Sequence, residues 1–592
     1  VWTFEEDSSS YNSYVSSYIY EYIQSEEIDE FDPQVRGLVR RNLKLLEDYV
    51  DKISVSHIHG SDLEDTFPSG VDLIEGHIQK EIWNHEREDL SQILMNYDGD
   101  GGDIRHSVNA LANLFLLSFY FLDRCCMTVI SPDREELAFD MFQSLNATGT
   151  PLTAIEVFKP LVVKSEEDYG SGYKNSKSKK HYDNIERLFN RVTSISTKST
   201  RTNKLVTNFA LTFSGEKLPS RFGKQRKWLQ NEYRGRGGIS EKRDFTKVFS
   251  DVSSYFYDAW TLYDPDEGEY LDKIRTHEDA GIASVCFLYL KSVNHNIANG
   301  HLSRFYSRIL NDTGGDPVTE FVEAVKATAA FYTLWRSTQS TSGLDNVYRR
   351  LMRHGGFEDN PAVQPMRWTG PDGSLTSNNL KRYFQDVLDR RNIEEKEKWV
   401  ERPTQGNLSY DTIKKVCRFC LFAASHDTIV DDSTPGLAKE GSSGSSPYLT
   451  VDQWKSSDLQ LEHIAPADPP DGHNWDDEMY ITGSFQDIGN LTLLPKDVNV
   501  SVGNKGWVEK RLYYMHLGLD DPDEIREIRE EAEENGISLS EDAIKTLKES
   551  NYHKHLAPLT KREEPVDHDF VQERGRNISR LVWGQISPWI FK

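Results

Sequence analysis

A glutamate beside a histidine, in Leu461-Glu462-His463-Ile464-Ala465-Pro466, precedes two asparagines nine positions apart, Asn490 and Asn499, and then Asn504-Lys505. These residue types suit metal-assisted hydrolysis of a phosphodiester. A carboxylate holds a hard divalent cation. A neutral imidazole next to it takes a proton from water. One amide can orient that imidazole, and the other can complete the metal shell.

Short elements must carry these groups. Gln460 to Ile464 alternates as a strand, with Glu462 and His463 on opposite faces, and Pro466 ends it. Gly489 to Leu494 reads as a second strand, and Asn499 to Met515 as a loop leading into a helix. Two strands followed by a helix, with ligands on the first strand and at the start of the helix, is the ββα-metal layout.

The same residues resemble the HNH endonuclease domain of the GmrSD-type and Ssp-type modification-dependent restriction enzymes. That domain carries [D/E]-H-I-x-P, G-N-L-T-L-L, an Asn, and N-K followed by a further Lys. Here these are Glu462 to Pro466, Gly489 to Leu494, Asn499, Asn504-Lys505 and Lys510. Upstream, Ala138 to Thr153 resembles the A-x-x-x-F-x-x-L-N-x-x-G-x-x-L-T signature of the family's ParB/sulfiredoxin-like partner domain. Arg574 to Trp583 resembles the family's last helix. The partner domain's D-G-Q-Q-R motif occurs nowhere in the chain, and of the opening Y-Q-R-x-Y-x-W only Val1-Trp2 could be a remnant. No NTP site is therefore assigned, although the family's pattern includes one.

The resemblance implies roles residue by residue. Glu462 and Asn499 would bind one Mg²⁺ or Mn²⁺, ions that hard oxygen ligands suit better than they suit zinc. Asn504 lies close enough in sequence to compete with Asn499 as the ligand. His463 would be the general base, Asn490 would fix its tautomer, and Lys505 and Lys510 would contact phosphates. The implied activity is a DNA endonuclease of a prokaryotic anti-phage defence system, nicking or cutting double-stranded DNA under the control of DNA modification. Glucosylated hydroxymethylcytosine and a phosphorothioate mark are both open as the trigger. Two rival readings are a DNA-binding regulator with an inactive HNH module and an NTP-dependent sensor of modified DNA whose nuclease belongs to another subunit. Self-association and further defence-system subunits stay open as partners.

At 592 residues the chain exceeds what one core holds, about 250–300 residues, so two or three domains are expected. The reading is α+β and predominantly helical: a partial ParB-like domain over 1–165, a helical middle over 166–427, a flexible Gly/Ser linker over 428–447, and the nuclease with closing helices over 448–592. Val39, Leu43, Leu46 and Val50 repeat at helical spacing, and 105–124 is a helix. Cys125 to Ile130 reads as a strand, and Arg134 to Leu145 as a helix that Asn146 to Gly149 stops. Thr153 with Glu156 three residues on predicts a capping box. Residues 166–180 read as a polar loop. Asp316-Pro317 opens a helix whose face holds Phe321, Val325, Tyr332 and Trp335. Asp521-Pro522 opens an acidic helix that Gly536 ends, and the closing helix carries Phe570, Ile578, Leu581 and Trp583.

The 69 basic and 95 acidic residues leave a net charge of −26. That argues against a broad non-specific DNA coat but not against a local basic channel. Lys224, Arg226 and Lys227, interleaved with Trp228 and Tyr233, suit phosphate contact with base stacking; a solvated helix end is the alternative. The five cysteines suggest no disulfide framework and hence a reducing cytoplasm. Cys417-Arg-Phe-Cys420 reads as a buried helix face rather than a zinc knuckle. No apolar run is long enough to span a membrane. Asn96 to Asp103 imitates a calcium loop, but Ser107 stands where the twelfth-position Glu belongs. The pairs His57/His59 and His553/His555 lack acidic company for a metal, and His473 reads as loop surface. Val1 is not an initiating residue, so the sequence reads as a piece of a longer chain.

Overall fold

A computed structural model of the chain describes residues 37–58, 88–95, 102–125, 153–170, 172–187, 195–261, 270–311, 314–358, 363–369, 375–402, 407–455, 459–518 and 553–592, with a few single positions between them. The readings for Asn96 to Gly101, for the stretch from Cys126 through Gly149, and for most of the Asp521–Gly536 helix lie outside the described residues. The chain divides into two compact units, Val1–Phe142 and Gln143–Lys592. The boundaries expected near 165 and across 428–447 both fall inside the second unit.

In the first unit, helix α1 (Gly37–Ser54) carries the Val39/Leu43/Leu46/Val50 repeat, and α2 (Gly102–Arg124) covers the expected 105–124 helix. The buried Asn113 of α2 donates to the Ser56 hydroxyl at 2.9 Å, just beyond the end of α1.

The first described helix of the second unit is α3 (Ala154–Asp168). Its capping box is present: the Thr153 hydroxyl accepts from the Glu156 N–H, and the Glu156 carboxylate accepts from the Thr153 N–H at 2.8 Å. The expected polar loop over 166–180 is instead a 3₁₀ turn at Tyr173–Asn175 followed by α4 (Lys177–Arg187). A few of its polar groups are buried. The fully buried Glu166 accepts from the Ser178 hydroxyl at 2.5 Å and from two Arg243 nitrogens at 2.9 and 2.6 Å. Burial of a carboxylate is tolerated because it is both paired and hydrogen-bonded.

The helical body continues through α5 (Ile195–Ser214), α6 (Phe222–Arg234), α7 (Ile239–Ser254), α8 (Ala280–Ser292), α9 (Asn299–Asn311), α10 (Pro317–Arg336) and α11 (Tyr410–Ser425). Asp316 caps α10 by accepting from the Thr319 N–H at 3.0 Å, and Phe321, Val325, Tyr332 and Trp335 are buried in the core as the periodicity requires. Tyr289 of α8 stacks on Phe419 of α11 with ring centroids 4.0 Å apart. Cys417 and Cys420 are buried on α11, where burial pushes both thiols up, so this is a helix face.

Residues 428–447 are not a flexible linker. β1 (Thr428–Val430) pairs antiparallel with β2 (Ala438–Glu440). The Gly/Ser run folds back because Asp427, in the left-handed region at φ 54°, accepts from the Gly444 N–H at 2.8 Å and donates its own N–H to Ser446 O at 2.8 Å. β3 (Leu459–His463) then pairs antiparallel with β4 (Leu491–Pro495), placing Glu462 opposite Thr492 and His463 opposite Leu491. Helices α12 (Lys496–Val502), α13 (Trp507–Gly518) and α14 (His568–Ile586) follow.

β4 is buried on both faces. Leu491 and Leu493 join the large helical core, whereas Leu494 belongs to a second core with Val498, Val502, Trp507 and Tyr514. A run of apolar residues without alternation is what a strand with two covered faces requires. The β3–β4 pair is thus pressed between the helical body and its own small core.

Candidate functional site

The pleat of β3 sends Leu459, Leu461 and His463 to one side and Glu462 to the other. Leu459 and Leu461 pack into the helical core, and the His463 ring lies 4.7 Å from the ring of Tyr410 at the start of α11. On the opposite face, Glu462 Oε1 accepts from Lys510 Nζ of α13 at 2.6 Å. The same ammonium donates to the carbonyl oxygen of His463 at 2.8 Å. Burial raises the Glu462 carboxyl above its ordinary range and lowers the Lys510 ammonium, and each opposes the other's shift. The backbone N–H of His463 also stabilises the ionised Glu462 carboxylate.

His463 is held below the ordinary histidine pKa, first by burial and then by the positive charge of Lys510, against the hydrogen bond it donates to Gln486. It is therefore neutral near pH 7, the state a general base needs. Its Nε2 lies 3.2 Å from Gln486 Oε1. With the amide oxygen turned to the ring, Nε2–H donates and Nδ1 keeps the lone pair. Nδ1 has no partner among the described residues, and the side chain is only half-buried.

Asn490 does not orient the imidazole. It sits fully buried in the 3₁₀ turn Ile488–Asn490, where backbone groups occupy both ends of its amide. Oδ1 accepts from Ala465 N at 2.8 Å; Nδ2 donates to Ala465 O and Phe485 O, each at 2.8 Å. The Asn490 carbonyl also accepts from Ile464 N at 2.8 Å. One side chain thereby clamps the chain leaving β3 to the turn entering β4. Orienting the ring falls to Gln486, whose position in a 3₁₀ turn carried no sequence signal.

Helix α14 closes on this turn. A Cβ on Gly489 would stand 1.8 Å from Val571 O, so only glycine lets the two backbones approach. The buried Arg574 donates from Nη1 to Gly489 O at 2.6 Å and to Leu491 O at 2.8 Å. His555 bonds Leu493 O at 2.8 Å through Nε2 and the Tyr448 hydroxyl at 2.6 Å through Nδ1. Its pKa falls to about 3, mainly by burial. Arg574 stood inside the segment read as the closing helix, but nothing local marked it or His555 as a support for β4.

Residues 421–550 match the C-terminal domain of GmrSD restriction endonucleases. The match begins within α11 and runs through the β1–β2 hairpin, the β3–β4 pair, α12 and α13. It includes Glu462, His463, Gln486, Asn490 and Lys510, while α14 lies beyond it. It supports a GmrSD-type enzyme, a restriction nuclease with DNA as its substrate. No curated protein matches the chain. No helix among the described residues is long and apolar enough to cross a membrane.

Within the GmrSD-like segment, the remaining sequence candidates are placed differently from one another. Asn499 lies on α12, which starts directly after β4, so the expected loop is a helix there; the side chain is half-buried. Asn504 is exposed between α12 and α13. Neither makes a side-chain hydrogen bond to Glu462 or His463. Lys505 pairs with Glu509. Lys510 is not a phosphate contact: its side chain has no exposure, and its ammonium is committed to Glu462 and His463 O. Among the described residues no three His, Cys, Asp or Glu side chains gather as a metal-binding group.

Outside the GmrSD-like segment, Lys224 and Lys227 are exposed on α6 and Arg226 is half-buried. The expected stacking aromatics are core residues instead. Trp228 meets Phe209 edge-on at 5.6 Å, and the fully buried Tyr233 meets Phe158 edge-on at 5.2 Å. They occupy the inward face of an amphipathic helix, so bases cannot reach them.

Proposed function

We propose that residues 448–592 carry a metal-dependent HNH-type endonuclease of a prokaryotic anti-phage, restriction-like system, which nicks or cleaves double-stranded DNA under the control of DNA modification. The carrying observation is His463: neutral, with a ring nitrogen unpartnered among the described residues, adjacent in sequence to Glu462 on the other face of β3, within the segment similar to GmrSD restriction endonucleases.

In this reading His463 Nδ1 takes the proton from the attacking water, and Gln486 holds the ring in the tautomer that leaves Nδ1 basic. Lys510 opposes the effect of burial on Glu462 and so favours its ionised form. The donor chemistry fits one Mg²⁺ or Mn²⁺: Glu462 offers the hard oxygen Oε2, and the amide of Asn499 or of Asn504 would complete the protein's share. When bound, such an ion would offset charge on the scissile phosphate and the leaving oxygen. Asn490 supports the site from behind by fixing the turn. Lys505, just before α13, and Lys224, Arg226 and Lys227 on α6 would contact DNA phosphates. Residues 1–165 would supply a partial ParB/sulfiredoxin-like domain that helps recognise modified DNA, and the protein would act in the cytoplasm.

One observation favours a second reading, a DNA-binding regulator with an inactive module: the only charge on Glu462 is already balanced by Lys510. Cleavage of supercoiled plasmid with Mg²⁺ or Mn²⁺, with and without chelator, separates the two. The parent chain is expected to nick, and His463→Ala to be slower by about 10²–10⁴-fold. Equal cleavage by both would remove His463 as the base. No cleavage of either plain or modified plasmid, with retained DNA binding, would favour the regulator.

A further inference from the structure

A cavity lies apart from the β3 residues. α11, the β1–β2 hairpin, the segment 554–559 and α14 enclose a narrow cavity of about 50 Å³. That is roughly the space of four ordered waters. Its walls are mostly aliphatic, but Lys554 and Arg574 both line it, joined by Asn577 and His555, and no Asp or Glu does. In a chain of net charge −26, two cations in one cavity without a carboxylate stand out. Arg574 is buried, and its Nη1 is taken by two carbonyls; Nε and Nη2 have no partner among the described residues. Lys554 donates to Ser445 O at 2.8 Å and Asn577 to Ala438 O at 3.0 Å, so neither meets an acid. A buried cation without a counter-charge is costly, and an anion beside it would relieve that cost.

We propose that this cavity binds a compact, phosphate-sized oxyanion, either free or as the terminal group of a larger molecule. The size excludes a bulky body inside the cavity but leaves the mouth open to one. Arg574 also holds Gly489 O and Leu491 O, and His555, which lines the cavity too, holds Leu493 O, so occupancy of the cavity reaches β4 through two side chains. Binding itself is independent of the nuclease reading; only an effect on cleavage would rest on it.

The test is titration calorimetry of the intact chain with inorganic phosphate and with phenyl phosphate, at ionic strength matched with chloride. Saturable one-to-one binding of phosphate is expected, at least tenfold weaker in Lys554→Met and in Asn577→Asp and retained in Lys554→Arg. Melting curves without phosphate keep a folding defect apart from a binding defect. Phenyl phosphate binding as well as phosphate assigns the terminal-group source, and phosphate alone assigns the free ion. No binding of either probe, or equal affinity in all variants, would overturn the proposal, as would binding that chloride abolishes at the matched ionic strength. Hydrogen exchange of the β4 amides gives a readout that does not depend on cleavage: slower or faster exchange with phosphate is expected in the parent and absent in Lys554→Met.

Discussion

Lys510 Nζ lies 2.6 Å from Glu462 Oε1; Lys510 is fully buried, whereas Glu462 keeps 12% of its side chain exposed. This ammonium stabilises a carboxylate that burial alone would drive toward its neutral form. Lys510→Met should therefore strand the Glu462 charge and lower stability by about 3–5 kcal/mol. The double variant with Glu462→Gln should recover most of that loss, because no buried charge is left unpaired. Urea unfolding of the three variants measures both effects. A single-variant loss below about 1 kcal/mol would mean that the pair does not hold the site.

The Gln486–His463 bond predicts a separation of ground-state and catalytic effects. Gln486→Leu removes the ring's hydrogen-bond partner without touching the proposed metal ligands. Plasmid nicking should slow by about 10-fold or more while DNA binding in a gel-shift assay is unchanged. Weakened binding with normal cleavage would assign Gln486 to DNA contact instead.

The pH dependence follows from the direction of the His463 shift. Its folded pKa lies below the ordinary value of about 6.5, and cleavage needs the neutral ring. The rate should stay level through neutral pH and fall on acidification, with its midpoint below 6.5. Gln486→Glu would place a carboxylate on the ring, favour the imidazolium and move that midpoint upward. A midpoint above 6.5 in the parent would contradict the burial of His463.

Asn490 predicts a stability defect rather than a change in the base. Asn490→Ala would leave Ala465 N, Ala465 O and Phe485 O without their side-chain partner, at about 1–3 kcal/mol for each group left buried and unsatisfied. The melting temperature should drop while the pH midpoint of any remaining cleavage stays put. A shifted midpoint would show that Asn490 reaches the imidazole after all.

Gly489 tests how closely α14 must approach the turn. Gly489→Ala would force its methyl against Val571 O and should destabilise the second unit by about 1–3 kcal/mol or more, since backbone cannot step aside cheaply. Calorimetric melting checks this. An unchanged melting temperature would mean that α14 can withdraw from β4 without cost.

The sequence by itself determined the features that rest on local interactions. The alternation of Gln460 to Ile464 dictates which way Glu462 and His463 point. Thr153 and Glu156 make their reciprocal cap across three residues, and the α10 stripe and the Cys417/Cys420 face follow from helical period. The tertiary structure decided whatever depends on a partner far along the chain. Lys510 meets Glu462 across 48 residues, so its charge turned from a solvent-facing phosphate contact into a buried counter-ion. Asn490 was captured by the backbone of Ala465 and Phe485 before it could reach the imidazole, and Gln486 took its place. Composition made 428–447 look mobile, yet Asp427 folds it into a hairpin. Trp228 and Tyr233 looked available for stacking until the helical core enclosed them. A polar side chain's type says what bonds it can make, but which bond it makes is set by the groups that packing brings within about 3 Å.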